Sequence, residues 1–202
     1  MRKHSGLNYT MLCDFYELTM GNGYLKAGIG DRITYFDLFF RTIPDNGGYA
    51  VAAGLEQAID YIENLHFTEE DIAYLRGRGL FCEEFLNYLR NFRFTGDIWS
   101  VPEGTPVFPR EPILIVRAPA IQAQLIETFL LLTINHQTLI ATKASRISRV
   151  ADGRAVPPRA ARCWNSAPAA PRAPMQPFLA RGPRILADAS VRPALFQTSS
   201  TA

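Results

Sequence analysis

Few side chains in this sequence are placed to do chemistry, and most of them are basic or amidic. Arg41 follows the aromatic run Tyr35-Phe-Asp-Leu-Phe-Phe40 and precedes Pro44-Asp-Asn-Gly-Gly48. That is a strand end beside a tight turn, where a planar guanidinium can meet a carboxylate or phosphate; an exposed surface arginine is the alternative. Asn135, Thr138, Lys143 and Arg146 fall on one segment with helical spacing. Lys143 and Arg146 are three apart, and Thr138 and Thr142 four apart, so each pair shares a helix face. That face either lines a cleft or is simply solvated. Asp14 and Tyr16 lie two apart near the start of another expected helix and so point different ways. The Asp14 carboxylate either orients a polar neighbour or sits by the helix dipole. His136 has no neighbour in sequence that would mark it as acid, base or phosphate acceptor. Cys13, Cys82 and Cys163 are odd in number and far apart, which fits neither a disulfide frame nor a metal-ligand pattern.

The elements that must position these groups are legible from periodicity. Ile33 to Phe40 alternates as a strand with apolar groups on both faces, so cover on both sides is expected, ending at Arg41. Pro44 to Gly48 then turns, with the glycines supplying positive φ. A helix over 50–65 is expected to bury Val51, Leu55, Ile59 and Ile62. Upstream, Tyr9 to Ala27 reads as a helix with Leu12, Phe15, Tyr16, Thr19 and Tyr24 at helical spacing, and Gly21 and Gly23 suggest a kink or close packing. Thr68-Glu-Glu-Asp71 is an N-cap with acidic first-turn residues. Phe81 to Phe92 forms another helix with Phe85, Leu86 and Leu89 inward. Gly96 to Val101 and Ile113 to Val116 are strands separated by proline turns. Ala120 to Thr133 and Asn135 to about Arg149 complete the helices. The fold class expected is α+β, with helices packed on a small mixed or antiparallel sheet.

The net charge of +2 conceals a break. Residues 1–156 carry −3, whereas residues 157–202 carry +5, with six arginines, Asp188 as the lone acid and eight of the fourteen prolines. The tail's arginines lack interleaved aromatics and regular spacing, so nucleic-acid binding is not expected. No apolar run approaches the roughly 20 residues of a membrane span, and no apolar core follows the first residues, so neither a membrane nor export is expected.

Asp14-Phe-Tyr-Glu-Leu-Thr-Met20, Phe39-Phe-Arg-Thr-Ile-Pro44, Gly54-Leu-Glu-Gln-Ala58, Glu127-Thr128, Asn135-His-Gln-Thr138 and Thr142-Lys-Ala-Ser-Arg146 occur in this order. Together they resemble the N-terminal domain of bacterial nicotinate phosphoribosyltransferases, over about residues 8–150. The resemblance implies a cytoplasmic homodimer that joins nicotinate to phosphoribosyl pyrophosphate in NAD salvage, with ATP hydrolysis and Mg²⁺. It implies that Tyr16 stacks on the nicotinate ring in a site completed across the dimer. It also implies that Asn135, Thr138, Lys143 and Arg146 line the inter-domain cleft near the sugar phosphates. The family's phosphohistidine belongs to an α/β barrel domain that these residues do not include, so no catalytic residue is assigned and that role does not pass to His136.

After Arg149 the resemblance stops. Codons permitted for Trp164 to Met175, read one base earlier, admit LEFGSRRAQGSDA, the strand and paired arginines that the resemblance calls for next. Residues 1–150 are therefore expected to be the domain, and 151–202 an out-of-frame, unstructured tail. A chain so truncated is expected to be inactive; a non-catalytic fragment or interaction module pairing with a full-length copy is the alternative.

Overall fold

The computed structural model describes residues 8–151 and 189–194. At its centre is β1 (Ile33–Phe40), in which Thr34, Phe36, Leu38 and Phe40 are buried. The opposite face is only half covered, with Ile33 exposed, so the expected cover on both sides holds for one side alone. β5 (Leu114–Pro119) pairs antiparallel with β1, from Ile33 opposite Pro119 to Leu38 opposite Leu114. β3 (Asp97–Ser100) adds to the far edge of β5. A separate two-stranded ribbon joins β2 (Ala50–Val51) to β4 (Pro106–Val107).

The other edge of β1 carries β6 (Ala189–Ala194), giving the order β3-β5-β1-β6 with every pair antiparallel. Here six residues expected to be unstructured form a strand. An open edge offers unpaired N–H and C=O groups that an extended segment can take through its backbone alone. The remaining tail expectations concern residues 152–188 and 195–202, outside the described residues.

α5 (Ala120–Leu125) lies on one face of the sheet against β1 and β5, α1 (Phe15–Lys26) packs on α5, α4 (Glu83–Arg90) on α1, and α3 (Glu69–Gly77) on α4. Phe85, Leu86 and Leu89 point inward as their spacing predicts, and join Leu18, Ile72, Leu75 and Ile121 in the core. A Cβ at Gly21 would press the Phe85 ring at 3.1 Å, so this glycine serves close packing. Thr68 and Asp71 form a reciprocal capping box at the start of α3.

Three helix expectations are corrected. α1 starts at Phe15, not Tyr9: the Asp14 N–H donates to Thr128 Oγ1 at 3.2 Å, and Asn8 and Thr10 bond into the 66 region. Its buried face is Glu17, Leu18, Gly21 and Asn22, whereas Phe15, Tyr16 and Thr19 are exposed. α2 (Leu55–Asn64) buries Ala58 and Tyr61, and Ile59 lies exposed; Val51 belongs to β2 instead. The break in the last helical stretch falls at Ile126, between α5 and α6 (Glu127–Ala151), rather than after Thr133. Its cause is Glu17, which takes the Thr128 N–H at 2.9 Å and so replaces the carbonyl that would continue α5.

Candidate functional site

The candidate residues gather at two poles along α6. At its N-terminal pole, Tyr16 is 43 % exposed and the Glu127 carboxyl lies near enough to act on its phenol. Gln124 Nε2 donates to the same carboxylate at 2.6 Å. Burial raises the Glu127 pKa, outweighing Gln124 and the nearby Tyr16, which pull it down. Burial first, then Glu127, pushes the Tyr16 phenol up, so it stays protonated. Asp14 is the exposed N-cap residue of α1 and its side chain makes no capping bond, which leaves a carboxylate at the positive end of the helix.

Directly beneath lies Glu17, fully buried. Its Oε1 accepts from the Thr128 hydroxyl at 2.6 Å as well as from the Thr128 N–H, while Oε2 has no hydrogen-bond partner among the described residues. Desolvation pushes its pKa up to about 8, against the opposing hydrogen bonds from Thr128. At neutral pH this is mostly an uncharged carboxyl, which lets an acid occupy a helix junction without a counter-charge. The nearby Cys13 thiol is pushed up to about 12, mainly by burial, so it is no nucleophile.

The second pole surrounds the turn after β1. Arg41 is exposed immediately past the strand end. The turn itself is a short 3₁₀ segment, Pro44–Asn46, and the positive φ of 52° belongs to Asn46 rather than to a glycine. Gly47 matters for another reason: the Arg146 guanidinium lies against the turn backbone where a Cβ would stand, so a side chain there would displace it. Arg146 and the Pro44–Gly48 turn are thereby brought together across more than ninety residues of chain. Lys143 is exposed and Asn135 fully buried. His136 is half-buried, which lowers its pKa.

Thr138 is placed differently from a ligand contact. It is fully buried, accepts from the Ala53 N–H and donates to the Ala53 carbonyl, each at 3.2 Å. Thr142 accepts from the Val51 N–H at 2.8 Å and donates to the Thr138 carbonyl at 2.6 Å. The shared face of these threonines thus ties α6 to the segment 51–53 and positions the start of α2. That start is tight: Gly54 has φ 104°, and a Cβ would stand 3.1 Å from both the Thr133 carbonyl and Gln137 Cβ.

Glu103, absent from the sequence expectations, accepts from the Gly54 and Leu55 N–H groups at 2.8 Å and so caps α2 from across the fold. It borders a cleft of about 910 Å³ between α2, the β2–β4 ribbon and the C-terminal half of α6, lined also by Tyr49, Gln57, Gln137 and Arg149. Arg149 hydrogen-bonds the Tyr49 hydroxyl at 3.1 Å at its rim. The small residues Ala141, Ala144, Ser145 and Ser148 that open this groove repeat at three- and four-residue intervals on α6, a sequence signal that could have indicated it. Glu17 and Glu127 have no local signal: each stands out only through the motifs Asp14–Met20 and Glu127-Thr128.

The poles are not joined within one chain. Glu127 and Arg146 are about 28 Å apart along the helix, at about 1.5 Å per residue. Tyr16 and Asp14 therefore stand at one end, and Arg41, Lys143 and Arg146 towards the other.

The nicotinate phosphoribosyltransferase (NAPRTase) N-terminal domain matches residues 11–135, spanning both α1 and the first third of α6. The chain belongs to the nicotinate phosphoribosyltransferase family. It is 44 % identical over 156 residues to a nicotinate phosphoribosyltransferase of Mycobacterium tuberculosis, covering 77 % of this chain and 33 % of that protein. With the Bacillus subtilis nicotinate phosphoribosyltransferase it shares 50 % over 137 residues, 68 % of this chain and 28 % of the relative. The crystal structure of human nicotinic acid phosphoribosyltransferase superposes with a TM-score of 0.65 at 32 % identity, over 71 % of this chain and 29 % of that one. A nicotinate-nucleotide pyrophosphorylase from Pyrococcus furiosus, at 20 % identity and TM-score 0.53, shares the fold. The chain spans about a third or less of the length of these family members. Both motif-bearing poles fall within the part of the nicotinate phosphoribosyltransferase family that it does span.

Proposed function

We propose that this chain supplies the nicotinate-facing part of an enzyme that joins nicotinate to phosphoribosyl pyrophosphate, a cytoplasmic step of NAD salvage. In that reaction the pyridine nitrogen's lone pair forms the bond to ribose C1, and the C1–O bond breaks with its electron pair leaving on pyrophosphate. Tyr16 is the platform for the pyridine ring; Arg41, Lys143 and Arg146 are the cations of the other pole, of the chemistry that meets carboxylate and phosphate groups. Asp14 orients polar groups at the ring's edge. Asn135 and Thr138 shape α6 from within. The observation that carries this reading is the half-exposed Tyr16 at the start of α1, in the motif that the family match covers.

ATP and Mg²⁺ belong to the reaction as proposed. Among the described residues no group of three or more His, Cys, Asp or Glu is placed to hold a metal ion, and the Glu17 carboxyl is buried and mostly protonated. No described helix is long and apolar enough to cross a membrane. The 28 Å between poles favours a site completed by a second copy, and exposed Phe15 and Met20 beside Tyr16 give such a partner an apolar surface. The same spacing supports the other reading, a non-catalytic module that pairs with a full-length copy. Sequencing the DNA across codons 148–165 decides whether the tail is out of frame.

The test is a titration of the tyrosine-labelled chain with nicotinate, followed by NMR. The Tyr16 signal moves, the signal of Tyr74 on α3 does not, and Tyr16→Ala abolishes binding. A stationary Tyr16 signal refutes the site. Incubated alone with nicotinate, phosphoribosyl pyrophosphate and Mg-ATP, the chain is expected to form no nicotinate mononucleotide; detectable product would show a complete site within it.

A further inference from the structure

Tyr16 is the second residue of α1, in a turn that lacks a cap of its own: the Asp14 side chain makes no capping bond. A helix end of this kind needs partners from outside the helix for its unpaired groups. Here one side chain supplies them. Thr128 Oγ1 accepts from the Asp14 N–H at 3.2 Å and donates to Glu17 Oε1 at 2.6 Å. The Thr128 N–H donates to the same carboxyl oxygen at 2.9 Å. A hydroxyl has one proton to give, and Thr128 gives it to Glu17, which leaves its lone pairs for Asp14. Residues 14 and 17 flank Tyr16 in the first turn of α1, so both sides of that turn are tied to the start of α6 through Thr128. Thr128 and Glu17 are both buried, and water does not compete for the bonds between them.

We propose that Thr128 is a positioning residue for Tyr16, its hydroxyl holding the first turn of α1 where the ring meets nicotinate. The proposal rests on the reading of Tyr16 given above. Buried as it is, Thr128 acts through α1 rather than on the substrate. Its effect is one of population: a platform that stands in its binding position for a fraction of the time binds with an affinity reduced by that fraction. The coupling runs both ways, so nicotinate bound on Tyr16 must in turn hold residues 14 and 17 against Thr128 more firmly.

The test titrates the tyrosine-labelled whole chain with nicotinate and reads the Tyr16 NMR signal, which every variant retains. Thr128→Val keeps the shape and loses the hydroxyl; its affinity for nicotinate is expected to fall about three- to tenfold, the range of one lost hydrogen bond. Thr128→Ser keeps the hydroxyl and is expected to restore wild-type affinity. Thr68→Ala opens the capping box of α3 and serves as the control for lost stability, with affinity unchanged. Unchanged affinity in Thr128→Val, an equal loss in Thr68→Ala, or no recovery with serine overturns the proposal and leaves Tyr16 as a platform. A second measurement needs no variant. The Asp14 and Asp71 N–H groups each donate to a threonine hydroxyl at 3.2 Å, that of Thr128 and that of Thr68. Saturating nicotinate is expected to slow hydrogen exchange at Asp14 in the wild-type chain and to leave Asp71 as it was; an Asp14 rate that does not change also overturns the proposal. A wild-type Tyr16 signal that nicotinate does not move overturns the platform reading and this inference together.

Discussion

Replacing Glu17 by Gln should change how stability depends on pH, in a direction fixed by the carboxyl's surroundings. In the unfolded chain Glu17 ionises near 4.5; in the fold it holds its proton to about 8. Below about pH 4.5 the group is protonated in both states and favours neither. As pH rises, the unfolded chain releases its proton first, so the unfolded state gains and the native state loses stability until the folded carboxyl also ionises near pH 8. Each pH unit of that window corresponds to about 1.4 kcal/mol, so the loss amounts to about 3–5 kcal/mol by pH 8. Gln has no such titration. Its amide oxygen can accept both bonds from Thr128, and its NH₂ would occupy the place of Oε2, which has no partner among the described residues. The protonated carboxyl's own O–H on Oε2 is equally without a partner, so the amide brings little extra cost. Urea unfolding of both proteins at intervals between pH 4.5 and 8.5 should therefore give curves that start close together at the acid end and separate as pH rises, Glu17→Gln being the more stable at the alkaline end. Parallel stability curves for the two proteins would show that Glu17 is not held neutral in the fold, and would remove the reason given for an acid at this junction.

Thr138→Val should lower stability by about 1–3 kcal/mol, because it strips both partners from Ala53; a lower urea midpoint at constant slope, with nicotinate still shifting Tyr16, is the expected result. Unchanged stability would instead point to a ligand contact. Gly54→Ala combines a φ of 104° with contacts at 3.1 Å to α6 and should cost about 1–3 kcal/mol or more, read as a fall in melting temperature. Thr68→Ala opens the capping box of α3 and should cost about 1 kcal/mol in the same assay, with Thr68→Ser recovering most of it.

Much of the scaffold was readable in advance because it obeys short-range rules. The alternation from Ile33 to Phe40, the capping box at Thr68 and the inward Phe85, Leu86 and Leu89 each follow from spacing within a single element. Arg41 stands at the expected strand end for the same reason. The ordered motifs also led to the correct family, with Tyr16 and Arg146 among them. Helix faces were read less well wherever polar residues turned inward. Periodicity ranks positions by hydrophobicity, so it placed Phe15 and Tyr16 inside and left Glu17 and Asn22 outside. The fold reverses this, because Thr128 satisfies Glu17 and the Cys82 N–H satisfies Asn22 Oδ1 at 3.1 Å, from 111 and 60 residues away.

The amino-acid order by itself settled most of the central strands and helices and which family they serve, since propensity, capping and motif order act over a few residues or need no contact at all. Tertiary structure alone decided that α5 and α6 divide at Ile126, that Thr138 anchors a loop, that Gly47 makes room for Arg146 and that Glu103 caps α2. Each of these is a pairing between groups far apart in the chain, where burial makes a polar partner necessary, and no local pattern records which partner packing will bring.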